Sequence, residues 1–383
     1  AAYPDDPEAA VFYGLAHLAV APPDATATGH SERAAAILLR VYERNPDHPG
    51  AMHYLVHAND APGRERESLD ITRKYESAAP RNPHALHMPT HIYTRIGDWD
   101  AVIRGNLRAA AAALEHPAGD HREFVWDEFP HAIEYLVYAY LQQGADDKAA
   151  MELQRLWATR DLEPTFKTAF HLASTQARFA LERRAWNEAA RIVPRAAEGV
   201  DWDRFAWPEA ISQFARGLGA AQTGNASEAE NAVARLAVLE EGARVAGEDL
   251  FARNIRVLHL ELGAWIAHVQ GKHDASMALM EQAVEIEAST PKHAVTPAPT
   301  LPARELMGDL LTEVEQHGAA LASYSKSLES NPRRFNSLLG GARAARSLGN
   351  QPLAREFYRR LLDVAGGGTR GPALAEARAY SAQ

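Results

Sequence analysis

Ala51-Met52-His53-Tyr54-Leu55-Val56-His57 is followed 34 positions later by Ala85-Leu86-His87-Met88-Pro89-Thr90-His91. A third copy, Ala132-Ile133-Glu134-Tyr135-Leu136-Val137-Tyr138, carries Glu and Tyr where the first two carry His. A period of 34 is that of a helix-turn-helix repeat, and stacked repeats set equivalent positions side by side. The register therefore predicts a column of His53, His87 and Glu134 across neighbouring helices. A second column, His57, His91 and Tyr138, is expected one turn along.

Working outward, helices are predicted over 9–20 and 32–43, the latter with Ile37, Leu38 and Val41 on its apolar face. The turn Asn45-Pro46-Asp47-His48-Pro49-Gly50 opens the first His helix. A partner helix over 69–79 and the turn Pro80-Arg81-Asn82-Pro83 lead into the second. Helix 99–115 comes next. Between the second and third copies the offset grows to 47 residues, so an excursion of 13 residues interrupts the array. It lies within 116–130 and carries Trp126 and Phe129; such insertions commonly fall on a binding face. Further helices are expected over 131–143, 147–159, 163–181, 186–193, 209–216, 226–243, 248–270 and 274–288. A second irregular stretch, 289–302, contains Lys292, His293 and four prolines. Helical units over 303–328 and 335–364 follow, with Tyr324 and Tyr358 again 34 apart, then a last short helix. No domain linker stands out. Residues 1–383 read as one continuous helical-repeat domain with irregular insertions near 116–130 and 289–302.

Composition agrees. Of 383 residues 46% are apolar, enough for a long continuous core. The run Ala109–Ala113 favours helix and close helix approach. The net charge is -10 and no Lys/Arg stripe stands out, so nucleic acid and anionic membranes are not expected partners. The chain has no cysteine, which excludes disulfides and thiolate chemistry. No apolar stretch of about 18 residues predicts membrane insertion. Ala1-Ala2-Tyr3-Pro4 does not read as a signal peptide and fits a processed or truncated end. A soluble protein of cytoplasm or periplasm is the expectation.

The helix pairs resemble tetratricopeptide repeats, the C-terminal pair ending in Asn331-Pro332 most closely. From 47 to 106 the chain resembles a bacterial group of tetratricopeptide-repeat-like proteins with a His-rich central repeat pair. The residues that carry this are His48-Pro49-Gly50, His53, His57, His84, His87, Met88-Pro89, His91, Ile92-Tyr93, Arg95 and Gly97. Lys292-His293 and Leu301-Pro302-Ala303-Arg304-Glu305 extend it. The resemblance implies an all-α fold, a right-handed superhelical stack of antiparallel helix pairs, with further repeats upstream in many members. It implies no settled activity.

The chemistry lies in the histidines. His53 and His57 share a helix face, with Asp60 one turn on. His84, His87 and His91 have i, i+3, i+7 spacing, and His131, Glu134 and Tyr138 repeat it. Pro89 is tolerated in a first helical turn, where amides are free in any case. Imidazole suits Zn, Fe and Cu, and a site needs three or four convergent ligands. The expected ligands of a divalent transition metal are His53, His57, His87, His91 and Glu134. Glu134 and Tyr135 are the catalytic candidates; Tyr54, Tyr93 and Tyr138 are further hydrogen-bonders for a substrate. Asp60 or Glu128 would orient a ligand imidazole. His48, His84, His131 and His293 complete the pocket candidates.

A hydrogen-bonded polar network without metal is the plain alternative. No Glu follows the first His of either His-x-x-x-His, so neither is the zinc-peptidase motif. The Glu-x-x-His pair of helical carboxylate-metal proteins occurs once, at Glu128 and His131, interrupted by Pro130. Trp202, Phe205 and Trp207 either wall a pocket or pack loops. Arg95, Arg304 and Arg334 either meet an anion or form salt bridges. Gly217-Leu218-Gly219 lacks a phosphate-loop context. Two functions follow: a metal-binding repeat protein, catalytic through water or oxygen activation, or a scaffold holding a small molecule or peptide in its concave groove.

Overall fold

The computed structural model describes residues 5–119 and 121–382; the opening Ala1-Ala2-Tyr3-Pro4 lies outside them. The chain begins α1 (Pro7–Ala19), α2 (Ala27–Arg44), α3 (Pro49–Asn59) and α4 (Leu69–Tyr75). Next come α5 (Pro83–His87), α6 (Pro89–Ile96) and α7 (Trp99–Glu115). A two-stranded hairpin, β1 (Pro117–Ala118) and β2 (His121–Val125), precedes α8 (Glu128–Gln142), α9 (Asp146–Ala158), α10 (Phe166–Leu181) and α11 (Trp186–Ala189). The middle is α12 (Ala206–Gln222), α13 (Ala226–Val245), α14 (Asp249–Val269) and α15 (His273–Ala288). The chain closes with α16 (Ala303–Glu313), α17 (His317–Ser330), α18 (Phe335–Ser347), α19 (Gln351–Ala365) and α20 (Gly371–Ser381). This is a tetratricopeptide-repeat-like stack of antiparallel helix pairs, as the 34-residue period predicts.

Three elements differ from expectation. The excursion before α8 is an antiparallel hairpin, and Val125 also bridges Leu162 through its amide and carbonyl. The helix expected over 186–193 stops at Ala189. The second His helix is broken at Pro89 into α5 and α6, with Met88 between them in helical conformation (φ -49°, ψ -44°). Proline has no N–H to give the preceding turn, so the ladder skips there although Met88 keeps helical dihedrals. Thr90 Oγ1 donates to the His87 carbonyl at 2.7 Å across the break.

Small-against-large packing holds the pairs together. Tyr324 of α17 lies against Gly308 and Gly340, where an added Cβ would stand 2.6 and 2.4 Å from its ring. Phe335, Tyr358, Leu361 and Leu374 form a buried C-terminal core. Each fully buried Leu or Phe of this kind contributes about 1.5–3 kcal/mol.

The stack winds far enough to meet itself. Gly97, at φ +70° between α6 and α7, sits where a Cβ would be 2.8 Å from the Pro332 carbonyl. Trp99 Nε1 donates to the Arg333 carbonyl at 3.2 Å. The Gly144 carbonyl accepts from the amides of Thr369 and Arg370. The segment 289–302 crosses the inside of this turn as a strap. Arg178, fully buried, holds it through Thr296 Oγ1 at 2.9 Å and the carbonyls of Ala298 and Pro299. Arg334, also fully buried, bonds Glu182, Glu305 and Tyr138.

Candidate metal centre

Local sequence sets the site helices. His48 caps α3 by accepting from the Ala51 amide, with Pro49 in the first turn. Asn82 caps α5 through the Ala85 amide at 3.0 Å, with Pro83 in the first turn. Every residue of α8 is buried, including His131, Glu134, Tyr135 and Tyr138. Thr165 caps α10.

Seven imidazoles from these helices form one file. Ring centroids run His84–His53 5.0 Å, His53–His57 5.0 Å, His57–His91 5.6 Å, His91–His87 4.8 Å, His87–His131 4.1 Å and His131–His171 4.7 Å. Within the file two triads converge: His53, His57, His84 and, more deeply buried, His87, His91, His131. In each, one nitrogen per ring lies within 4.8 Å of the other two. The expected columns form only in part: His57 and His91 adjoin as the second column has them, whereas His53 and His87 are not neighbours and Glu134 and Tyr138 lie outside the triads. Neighbouring helices are offset by about one turn, so His84 meets His53, and His131 meets His87.

In the inner triad each ring has its outer nitrogen tied down. Asn106 Nδ2 donates to the Val102 carbonyl, which turns Oδ1 toward His87 Nδ1 at 2.7 Å. His91 Nδ1 donates to Asp60 Oδ2 at 3.0 Å. His171 Nδ1 donates to Glu134 Oε2 at 2.5 Å, so its Nε2 accepts from His131 Nδ1 at 2.8 Å. A neutral imidazole with Nδ1 donating keeps Nε2 as a lone pair. Thus His87 Nε2 and His91 Nε2 face each other 3.0 Å apart, both as acceptors.

The rings are held neutral. Burial, then the neighbouring His91, keeps His87 well below the usual imidazole range, and burial does the same for His131; burial lowers His91 against the opposing pull of Asp60. Burial pushes the Asp60 carboxyl up, but the Lys292 and Arg95 cations and His91 outweigh it and hold it ionised. Glu134 behaves alike: burial raises it, while His171, Arg178 and Ser174 prevail and lower it.

The outer triad is half-buried and less tightly anchored. His53 Nδ1 lies 3.3 Å from the Tyr75 hydroxyl. His84 Nδ1 is 3.1 Å from Glu128 Oε1, an ion-pair distance without hydrogen-bond geometry. Burial holds His53 at about 3 and His57 well below the usual range.

Other candidates fall elsewhere. Glu134 does not reach the triads: its oxygens are taken by His171, Ser174 (2.6 Å) and Arg178 (2.7 Å), so it braces the file from behind. Tyr135 stands edge-on to His87 and His91 and donates to the strap carbonyl of Thr296 at 3.2 Å. Tyr138 is bonded to Arg334 and lies outside the file. His48 is a cap that pairs with Glu8. His293 packs among Phe166, Trp207 and Phe251. Phe129 is core, and Trp202 Nε1 bonds the Ala197 carbonyl to pin a loop. Arg95 is spent on Asp60 and Arg334 on Glu182 and Glu305. His171 was not among the expected residues. Its signal is the spacing His171, Ser174, Arg178, the same i, i+3, i+7 row as on α5–α6 and α8.

A cavity of about 960 Å³ fills the inside of the superhelical turn. His57 and Asp60 stand on its wall, so the file opens onto it. Trp99, Phe170, Trp207 and Phe251 line it. Among the described residues no helix is long and apolar enough to cross a membrane.

No family model matches the chain, and no curated protein matches it. Among solved structures it is similar to the human IFIT1 dimer with m7Gppp-AAAA, at 15% identity and a TM-score of 0.43, over 94% of this chain and 72% of that one. A monomeric IFIT1 mutant with Gppp-AAAA matches at 16% identity and 0.43, over the same shares. The likeness to the His-rich bacterial group thus rests on its motifs alone, and what stands established is an all-helical repeat fold.

Proposed function

We propose that this chain is a metal-binding helical-repeat protein whose two histidine triads each take a divalent transition metal, Zn, Fe or Cu. One observation carries the reading: His87 Nε2 and His91 Nε2 lie 3.0 Å apart in a buried site, while the Nδ1 of each ring is already engaged by Asn106 or Asp60, which leaves the two facing nitrogens as lone pairs in neutral rings. Such an arrangement is repulsive until a cation fills it. Zn–N bonds of about 2.0–2.1 Å set tetrahedral ligand nitrogens about 3.3 Å apart, close to this spacing. The outer nitrogens donate to Asp60, Asn106 and the His171–Glu134 pair, the support that ligating histidines generally have. A bound cation would supply Lewis-acid or redox chemistry toward a water or oxygen reached from the cavity.

A proton shared by His87 and His91 is the rival occupant. Metal analysis of untagged protein separates the two. The expected result is uptake of two equivalents with sub-micromolar affinity, one lost in His87→Ala/His91→Ala and the other in His53→Ala/His57→Ala. A metal-free protein that takes up none of Zn, Fe(II) or Cu(II) at micromolar concentration overturns the reading.

The cavity favours a second reading, a scaffold that holds a partner peptide without catalysis. Under it, His53→Ala/His87→Ala leaves both peptide binding and metal content unchanged.

A further inference from the structure

The cavity has a chemistry of its own. Its walls are mostly apolar, with Leu18, Trp99, Phe170, Trp207, Phe251 and Leu258 facing in. The wall beside His57 carries two cations, Arg95 and Lys292, and both converge on a single carboxylate, Asp60, at 2.7 Å each. Arg304, from the first turn of α16, adds another cation. It is half-buried, and its guanidinium makes no hydrogen bond or ion pair among the described residues. Glu287, the acid on the same wall, turns both oxygens to the Ala303 amide, at 3.2 and 3.1 Å. Asp24, Glu248 and Asp249, the remaining acids on the lining, belong to the α1–α2 loop and to the start of α14.

The Arg304 guanidinium is open to the cavity and has no hydrogen-bond partner among the described residues, and a planar anion is the group that matches its fork. Pockets of about 300–1,000 Å³ enclose most of the surface of a small molecule. We propose that the cavity binds an amphiphile with one anionic head, a carboxylic acid on a medium-length apolar chain. The head sits on Arg304, and the chain lies along Trp207, Phe251 and Leu258 toward the wall of His57 and Asp60. As a substrate assignment this rests on the histidine reading, for it names the class of molecule presented to that centre. As a binding assignment it does not.

Calorimetric titration of metal-stripped protein with decanoate, decanol and decylamine tests it. Decanoate is expected to bind one per chain, at least tenfold tighter than decanol, and decylamine weaker than either. Arg304→Gln is expected to lower decanoate affinity at least tenfold, with decanol affinity and metal uptake unchanged; Arg304→Lys restores part of the loss. Equal affinity for the three head groups, or decanoate binding indifferent to Arg304→Gln, overturns the proposal. If Arg304→Gln does not fold, the head-group series on the unaltered chain still decides. Decanoate binding in a protein that takes up no metal leaves the chamber standing and removes only the histidine reading.

Discussion

His171 and Asp60 show how the site works at the scale of single side chains. Neither need touch a cation; each fixes which nitrogen of its neighbour carries the proton. Asp60→Asn keeps the shape but replaces a carboxylate with a group that can offer a donor to His91. Metal affinity is expected to fall about 10–100-fold, measured by competition with a chelator, with the circular dichroism spectrum unchanged. Acid acts in a definable direction. An unfolded chain protonates histidine near 6.5, whereas burial holds folded His53 at about 3. Protons therefore favour unfolding as pH falls from about 6.5, and His53 alone removes about 2 kcal/mol by pH 5. Melting of metal-free protein should shift downward between pH 7 and pH 5, and a flat profile would contradict the neutral file. The 34-residue period exposed His53, His57, His87 and His91 directly. His171 escaped because α10 preserves only the row spacing and none of the surrounding motif. The bracing role of Glu134 escaped because its partners, Arg178 and Ser174, lie about 40 positions away.

At the scale of elements, Pro89 and Gly97 bound the segment that delivers His91. Pro89 interrupts the ladder between α5 and α6, but Met88 stays helical between them, and His84, His87 and His91 keep neighbouring rings. Gly97 needs its left-handed backbone and has the Pro332 carbonyl where a side chain would be. Gly97→Ala is expected to destabilise the protein by about 1–3 kcal/mol, seen as a lower denaturation midpoint; an unchanged midpoint would mean that α6–α7 and the C-terminal repeat do not press together. Helix pairs were legible because apolar residues, Asn and Pro punctuate them at a regular interval. The hairpin at β1–β2 was not, because Pro117 and Gly119 read as loop punctuation, and the added bridge from Val125 to Leu162 lies beyond two intervening helices. The first column was drawn one turn out, while the His57–His91 pair of the second fell where expected: sequence register says nothing about how far adjacent helices slide.

At the scale of the whole molecule, two buried arginines knit remote parts of the chain. Arg178 ties α8 and α10 to the strap, and Arg334 ties α8 and the turn after α10 to α16. Removing one partner of a buried ion pair costs about 3–5 kcal/mol, because the other charge is stranded. Arg178→Met is therefore expected to lower stability by that amount and to open 289–302 to limited proteolysis; a strap that stays uncut would show that it is held by other contacts. The sequence offered Arg334 a salt bridge without naming its partners and did not mark Arg178, since a charged residue on a helix is usually solvated.

The meeting of Gly97 and Gly144 with Pro332 and Thr369 has a dynamic corollary. An open array of repeats behaves as a row of nearest neighbours and can unzip from either tail. Here the loop is shut by bonds between segments more than two hundred positions apart, so loosening the last hairpins exposes the first. Protection against amide exchange should accordingly be lost from both regions in a single concerted event, like a clasp undone rather than a zip drawn down.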